Sequence, residues 1–87
     1  MPTVYWKSAS TAKAFKKLAL TPEQRGVADD LIASLATNPF PVGCKKTQGK
    51  WNDHYRIDFC ADFRLIYRVQ SDVVTIVAIG DRKEIYR

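Results

Sequence analysis

Residues 55–69 of this chain read YRIDFCADFRLIYRV, two alternating segments that flank a short break at residues 60–62. Because side chains alternate between the two faces of a strand, this pattern predicts a β-hairpin. One face of the hairpin is aromatic and aliphatic, whereas the other is mainly cationic. A three-residue loop would place Asp58 across from Arg64 on the cationic face. The apolar face requires another layer of structure to cover it.

The size and composition of the chain indicate one small globular domain. Its 87 residues, of which 46% are hydrophobic, are enough for a single two-layer core. No apolar run is long enough to span a membrane, and the N-terminal residues lack the apolar core of a signal peptide. We therefore expect one cytoplasmic domain, residues 1–87, whose two cysteines remain reduced thiols.

Two helices are predicted between a first strand at residues 3–6 and the hairpin. A serine at position 8 or 10 can cap a helix over residues 11–18. A second helix begins at Thr21-Pro22, where Gln24 completes a capping box. Its apolar stripe, the natural cover for the hairpin, comprises Val27, Ala28, Leu31, Ile32, Leu35 and Ala36.

The remaining chain is typical of strands. Residues 45–50 are consistent with a short edge strand, and residues 73–79 (VVTIVAI) predict a buried central strand that ends at Gly80. The predicted fold is α+β: an N-terminal strand, a two-helix hairpin, and then a three- to four-stranded, mainly antiparallel sheet with the helices packed on one face.

The charge of the chain favours an anionic partner. The formal net charge is +5, and four of the six arginines fall in predicted strands or at their ends. The sequence contains no phosphate-binding glycine loop and no zinc-type ligand spacing, and its one histidine cannot form the two-histidine pair of an RNase. We therefore expect no metal and no cofactor.

The order of these motifs resembles the RelE/ParE superfamily, the small basic toxins of bacterial type II toxin-antitoxin pairs. The resemblance spans nearly the whole chain. It rests on residues 35–39 (LATNP), Lys45-Lys46 and Gly49, residues 55–57 (YRI), 63–67 (FRLIY) and 79–82 (IGDR), and Ile85-Tyr86.

Members of the RelE branch are ribosome-dependent endoribonucleases, in which the ribose 2′-OH attacks the adjacent phosphate. The resemblance implies that Arg64 supports the phosphate, that Arg82 lies near the leaving group, and that Tyr86 contacts the nucleotide. Arg56 falls on the first of two lysines in the best-known branch. Asp58 falls on the second, the general base there. An ionised aspartate repels a phosphodiester but can also accept a proton, so the resemblance leaves the identity of the base open while keeping Asp58 as a candidate.

The resemblance also implies partners and alternatives. The expected partners are a cognate antitoxin, the ribosome with its mRNA, and operator DNA through the toxin-antitoxin complex only, without a membrane. The alternatives are a ParE-like poison of DNA gyrase and a degenerate toxin that acts only as a co-repressor. Further RNA contacts are expected from the cationic residues Lys45, Lys46, Lys50, Arg68 and Lys83.

Overall fold

The structure, a computed structural model, describes residues 3–47, 53–83 and 85. Within these ranges the elements are β1 (Thr3–Trp6), α1 (Ala9–Lys17), α2 (Pro22–Leu35), β2 (Lys45–Lys46), β3 (Tyr55–Phe59), β4 (Phe63–Gln70) and β5 (Val73–Asp81). The strands form one sheet in the order β1-β5-β4-β3-β2. β1 runs parallel to β5, and the other neighbouring strands are antiparallel. The predicted α+β fold is confirmed, and β1 joins the same sheet as its parallel edge strand.

Both helices begin where the sequence places a cap. The Ser8 side chain accepts a hydrogen bond from the Thr11 backbone N–H, so α1 begins two residues before the predicted start. At α2, Thr21 Oγ1 accepts from the Gln24 N–H at 3.1 Å, and Gln24 Oε1 accepts from the Thr21 N–H at 3.0 Å. These reciprocal bonds satisfy two backbone donors that a helix N-terminus otherwise leaves without partners. The predicted capping box is therefore confirmed.

Arg25 joins the two helices. Its guanidinium donates to the carbonyl of Phe15 at 3.2 Å and to that of Leu18 at 2.9 Å, and it lies 4.9 Å from the centre of the Phe15 ring. The last carbonyls of a helix have no intrahelical partner and carry partial negative charge. Arg25 therefore ties the C-terminal end of α1 to α2.

The core lies between the helices and one face of the sheet. Ala28 and Leu35 of α2 are fully buried, and Phe15 of α1 stacks on Trp6 of β1 with ring centroids 5.4 Å apart. Val27 is 48% exposed, so its assignment to the apolar stripe is wrong. Neighbouring helix residues lie about 100° apart around the axis, and the side that α2 turns to the sheet is centred on Ala28 and Leu35.

β5 differs from its predicted form in two ways. The strand continues through Gly80, which pairs with Arg64, so the predicted end is wrong. Its register with β4 also shifts: Ile66 pairs with Ala78 but Tyr67 pairs with Ile76, which leaves one extra residue on β5. This β-bulge changes which positions of β5 face the core. In the order of the strands, β5 is an inner strand between β1 and β4, and β4 is the middle one.

A buried tyrosine fixes the connection that follows α2. Tyr67 is fully buried, and its hydroxyl donates to the Pro39 carbonyl at 2.9 Å. Burial, together with a hydrogen bond to Cys44, raises the Tyr67 pKa, so the hydroxyl stays protonated and remains a donor.

Of the helices in the described ranges, none combines the length and apolarity needed to cross a bilayer.

Candidate functional site

The hairpin of β3 and β4 carries the predicted site on the sheet face opposite the helices. Ile57 and Phe59 are buried in the core, so Arg56 and Asp58 project from the other side. Asp58 pairs with Arg64 as the three-residue loop predicts. We call this side, defined by Arg56, Asp58, Arg64 and Arg68, the charged face.

Asp58 and Arg64 form a bidentate ion pair. Arg64 Nε donates to Asp58 Oδ1 at 2.5 Å, and Arg64 Nη2 donates to Oδ2 at 3.1 Å. The Arg64 side chain is only 13% exposed, whereas that of Asp58 is 41% exposed. Two parallel bonds from a planar guanidinium to a carboxylate hold both groups in one plane. The pair therefore presents a fixed charge pattern to solvent.

Three arginines act on the Asp58 carboxylate. The hydrogen bond from Arg64 is the main cause of a lowered Asp58 pKa, and the charges of Arg64, Arg56 and Arg82 lower it further. Partial burial acts in the opposite direction and is outweighed. Asp58 is therefore ionised at neutral pH. The cluster carries three positive charges around one negative charge, which suits a second anion such as a phosphate.

Gly80 leaves space beside Arg64. It lies directly across from Arg64 on β5, and a Cβ built on it would meet no atom of the described residues within 4 Å. A residue with a long side chain at this position would cover the guanidinium from the β5 side. Gly80 therefore adds no side chain of its own to the charged face next to Arg64.

The hairpin loop positions the start of the C-terminal segment. The Arg82 backbone N–H donates to the Asp62 carbonyl at 3.0 Å, which ties the residue after β5 to the loop. Cys60 and Ala61 in this loop have positive φ angles of 50° and 62°. Residues other than glycine adopt this left-handed conformation at a cost of about 1 to 2 kcal/mol each. The loop that holds Arg82 is thus strained.

A cavity of about 300 Å³ adjoins the ion pair. Its lining residues come from β3, from β2 and from the connection before β2: Val42, Gly43, Lys45, Arg56, Ile57 and Asp58. Gly43 has a φ of 96°, a conformation that glycine adopts readily. The volume is at the lower end of the range for small-molecule sites. The cavity gives the charged face a concave region next to the Asp58 carboxylate.

The predicted site residues fall into two groups. Arg56, Asp58, Arg64 and Arg82 are brought together, with Lys45 beside Arg56 in the sheet. The other predicted residues lie apart from this cluster. Among them, Lys46 pairs with Tyr55 and therefore projects toward the opposite face of the sheet. Its ammonium lies 4.0 Å from the Asp53 carboxylate.

The other predicted RNA contacts lie farther along the chain. Arg68 lies on the charged face, four residues along β4 from Arg64, and its side chain is exposed. Lys83 follows β5, with its side chain exposed and its backbone N–H bonded to the Asp81 carboxylate at 2.8 Å. Tyr86 and Lys50 lie outside the described residues.

Two features of the site were not predicted. Gly80 was interpreted only as the end of a strand, although its place before Asp81-Arg82 in the sequence could have indicated a side-chain-free position beside the arginines. The cavity depends on the path of residues 39–44, which alternation does not determine. Within the described ranges, no group of three or more histidine, cysteine, aspartate or glutamate side chains could hold a metal ion.

The sequence matches one protein family along most of its length. The family model for the ParE toxin of the type II toxin-antitoxin system, parDE, covers residues 8–86. No curated protein matches the chain.

Three solved structures have the same fold. A copper-bound mutant toxin from Helicobacter pylori aligns with a TM-score of 0.79 and 24% identity over 98% of this chain and 99% of that one. A YafQ mutant from E. coli gives 0.77 and 15% identity over 100% of both chains. The archaeal RelE-RelB complex from Pyrococcus horikoshii gives 0.75 and 22% identity over 95% of this chain and 97% of that one. At these identities the likeness shows the fold.

Proposed function

Because this chain belongs to the family of ParE toxins of type II toxin-antitoxin systems, we propose that it is a toxin of the RelE kind that cleaves mRNA on the ribosome. The observation that supports this activity is the bidentate contact of Arg64 with the Asp58 carboxylate, whose pKa the charges of Arg56 and Arg82 lower further. Cleavage of a phosphodiester by its own 2′-OH requires a proton acceptor and cations for the charge that grows on the phosphate oxygens. The cluster contains both.

In the proposed reaction Asp58 is the general base. It takes the proton of the ribose 2′-OH as the O2′–P bond forms. The P–O5′ bond breaks, and O5′ takes a proton from solvent, so that the products are a 2′,3′-cyclic phosphate and a 5′-hydroxyl. Arg64 and Arg56 donate to the phosphate oxygens, and Arg82 donates toward the departing O5′. The arginines remain protonated throughout because their pKa lies far above neutral pH.

The proposal assigns Tyr86 to the nucleotide and Lys45, Arg68 and Lys83 to the RNA backbone. The place of Lys45 beside Arg56 and of Arg68 farther along the same face supports these assignments. The proposed cellular partner is a cognate antitoxin, as RelB is for RelE in the archaeal complex. Binding of the antitoxin over the charged face would keep RNA from the arginines, and we propose that both proteins act in the cytoplasm.

A second candidate function is poisoning of DNA gyrase through protein contacts. It is favoured by the bidentate pair, because Asp58 occupies the two guanidinium N–H donors of Arg64 that a phosphate would need. We call this pair of donors the Arg64 fork. The matching family model, which is that of the ParE toxins, favours it as well. A toxin of this kind needs no catalytic base, and in it the ion pair would serve stability alone.

Primer extension on ribosome-bound mRNA after brief expression separates these functions. The wild type should give cuts in phase with codons, and Arg64→Ala should lower the cleavage rate by about 100-fold or more, since one lost oxyanion donor has that effect. Lys13→Ala, an exposed lysine on α1 in the helical layer, is the matched control for loss of one positive charge. Growth arrest with DNA damage and without mRNA cuts would show gyrase poisoning. Absence of both effects, together with operator binding by the complex of this chain with its antitoxin, would show a co-repressor.

A further inference from the structure

The charged face extends beyond the arginine cluster to the edge strand β1. Val4 and Trp6 pack against the core, and Trp6 stacks on Phe15. Because side chains alternate along a strand, Thr3 and Tyr5 project from the charged face. Tyr5 is 55% exposed. No other aromatic ring within the described ranges stacks on it.

Tyr5 belongs to a row of three residues that crosses three strands. It pairs with Thr75 of β5, and Thr75 pairs with Arg68 of β4. With neighbouring strands about 4.8 Å apart, the Cα atoms of Tyr5 and Arg68 are separated by about 10 Å. An exposed aromatic ring, a hydroxyl and a guanidinium thus form one row across this face of the sheet.

These three groups match the parts of a single-stranded nucleotide. The face of an aromatic ring stacks on a base, and a guanidinium binds a phosphate. The threonine hydroxyl between them can donate to or accept from a ribose hydroxyl. The basic character of the chain and of this face provides the complementary charge for RNA.

We propose that Tyr5, Thr75 and Arg68 form a second nucleotide-binding subsite of the charged face, in which Tyr5 stacks on an RNA base. The subsite rests on the proposed ribonuclease function, and it extends that function to a nucleotide away from the cut. Arg64 and Arg68 are four residues apart on β4, so about 13 Å separates the two sites. The second nucleotide is therefore not the one held at the scissile phosphate, and only RNA longer than a dinucleotide reaches both.

Fluorescence anisotropy with a 2′-O-methyl RNA of about ten nucleotides tests this subsite, because the blocked hydroxyl prevents cleavage. Tyr5→Ala should weaken binding about tenfold, and Tyr5→Phe, which keeps the ring, should bind like the wild type. Phe40→Ala removes an equally exposed ring whose contact with Tyr55 places it on the helix side of the sheet, and it should leave RNA affinity unchanged. A 2′-O-methyl dinucleotide should bind all these proteins equally.

The outcomes separate the subsite from the proposed function. Equal binding of the long RNA by Tyr5→Ala and the wild type would overturn the subsite, even if the wild type cuts mRNA. A loss confined to binding of the cognate antitoxin would also overturn it and would identify the row as a protein interface. Absence of binding of the long RNA by the wild type would also overturn the subsite, whereas absence of codon-phased cuts in the primer-extension assay would overturn the proposed function itself. Thermal melting of each variant confirms that it is folded, and Tyr5→Ala should melt close to the wild type because the ring is exposed.

Discussion

Replacement of Asp58 by asparagine should raise RNA affinity and abolish most of the cleavage. Asparagine keeps the shape of the side chain but removes the negative charge that now occupies the Arg64 fork. One more cation then becomes available to a phosphate. For single-stranded RNA, each added phosphate contact steepens the dependence of log K on log salt concentration by about 0.7. Asp58→Asn should therefore bind a 2′-O-methyl RNA more tightly, with a slope steeper by about that amount.

The cleavage rate should change in the opposite direction. Asparagine cannot accept the 2′ proton, and loss of a general base costs about 100- to 10,000-fold in rate. Stability should fall by about 1 kcal/mol, because Asp58 is 41% exposed and solvent screens a bidentate surface pair to roughly that value. For a domain of this size the loss corresponds to a melting temperature lower by about 4 to 8 °C. The variant should thus remain folded at assay temperature.

The salt slope and the cleavage rate, measured on the same protein preparation, test the two roles of Asp58 separately. A cleavage rate that rises together with affinity would refute the assignment of Asp58 as the base and leave it as an inhibitory partner of Arg64. An unchanged salt slope would refute the assignment of Arg64 to a phosphate. Asp58→Glu is the informative companion, because it keeps a carboxylate but displaces it by one methylene, and it should retain part of the cleavage.

Four further outcomes are expected from the same structure. The stability difference between the wild type and Asp58→Asn should be constant above pH 3.8, the ordinary pKa of the carboxyl. It should vanish as the pH falls through the lower folded-state pKa, because the carboxylate is then protonated. Urea unfolding at a series of pH values would measure this difference. Tyr67→Phe should cost about 1 to 2 kcal/mol in urea unfolding, because it removes the donor to the buried Pro39 carbonyl. Ala61→Gly should raise the free energy of unfolding by about 0.5 to 1 kcal/mol, since glycine relieves a φ of 62° at some entropic cost. Arg25→Met keeps the apolar stem but removes the guanidinium from the end of α1, and should lower that free energy by about 1.5 to 3 kcal/mol, whereas an unchanged value would show that the helix end is satisfied by water.

The sequence predicted those parts of the fold that local patterns determine. In the hairpin, alternation assigns each residue to a face, and a three-residue loop then fixes the pairing of Asp58 with Arg64. The start of α2 follows from a cap whose hydrogen bonds span three residues, whereas α1, for which two serines could serve as the cap, was predicted to begin two residues too late. These interactions connect residues close in sequence, so their geometry can be worked out without the rest of the chain.

Longer-range features were not predictable in the same way. The run of residues 73–79 is apolar at nearly every position, so alternation cannot show where a bulge changes the phase. The parallel pairing of β1 with β5 joins the two ends of the chain, and only this pairing puts Tyr5 on the charged face. The tie between Arg82 and the Asp62 carbonyl likewise joins separate segments. Sequence resemblance supplied Arg82 as a candidate, but not the contact that positions it.

The ion pair and the proposed reaction place opposite demands on Asp58. In the free protein the hydrogen bond from Arg64 is the largest cause of the lowered Asp58 pKa, and so of its weakness as a base. A scissile phosphate that takes over the Arg64 fork removes that bond. The Asp58 pKa must then rise, because its main stabilising partner is gone and partial burial remains. In the proposed reaction Asp58 would thus become a stronger base when its proton donor, the 2′-OH, is beside it. The same exchange would bring Arg64 to the oxygens where negative charge accumulates, so that one change of partner would supply both requirements of the reaction.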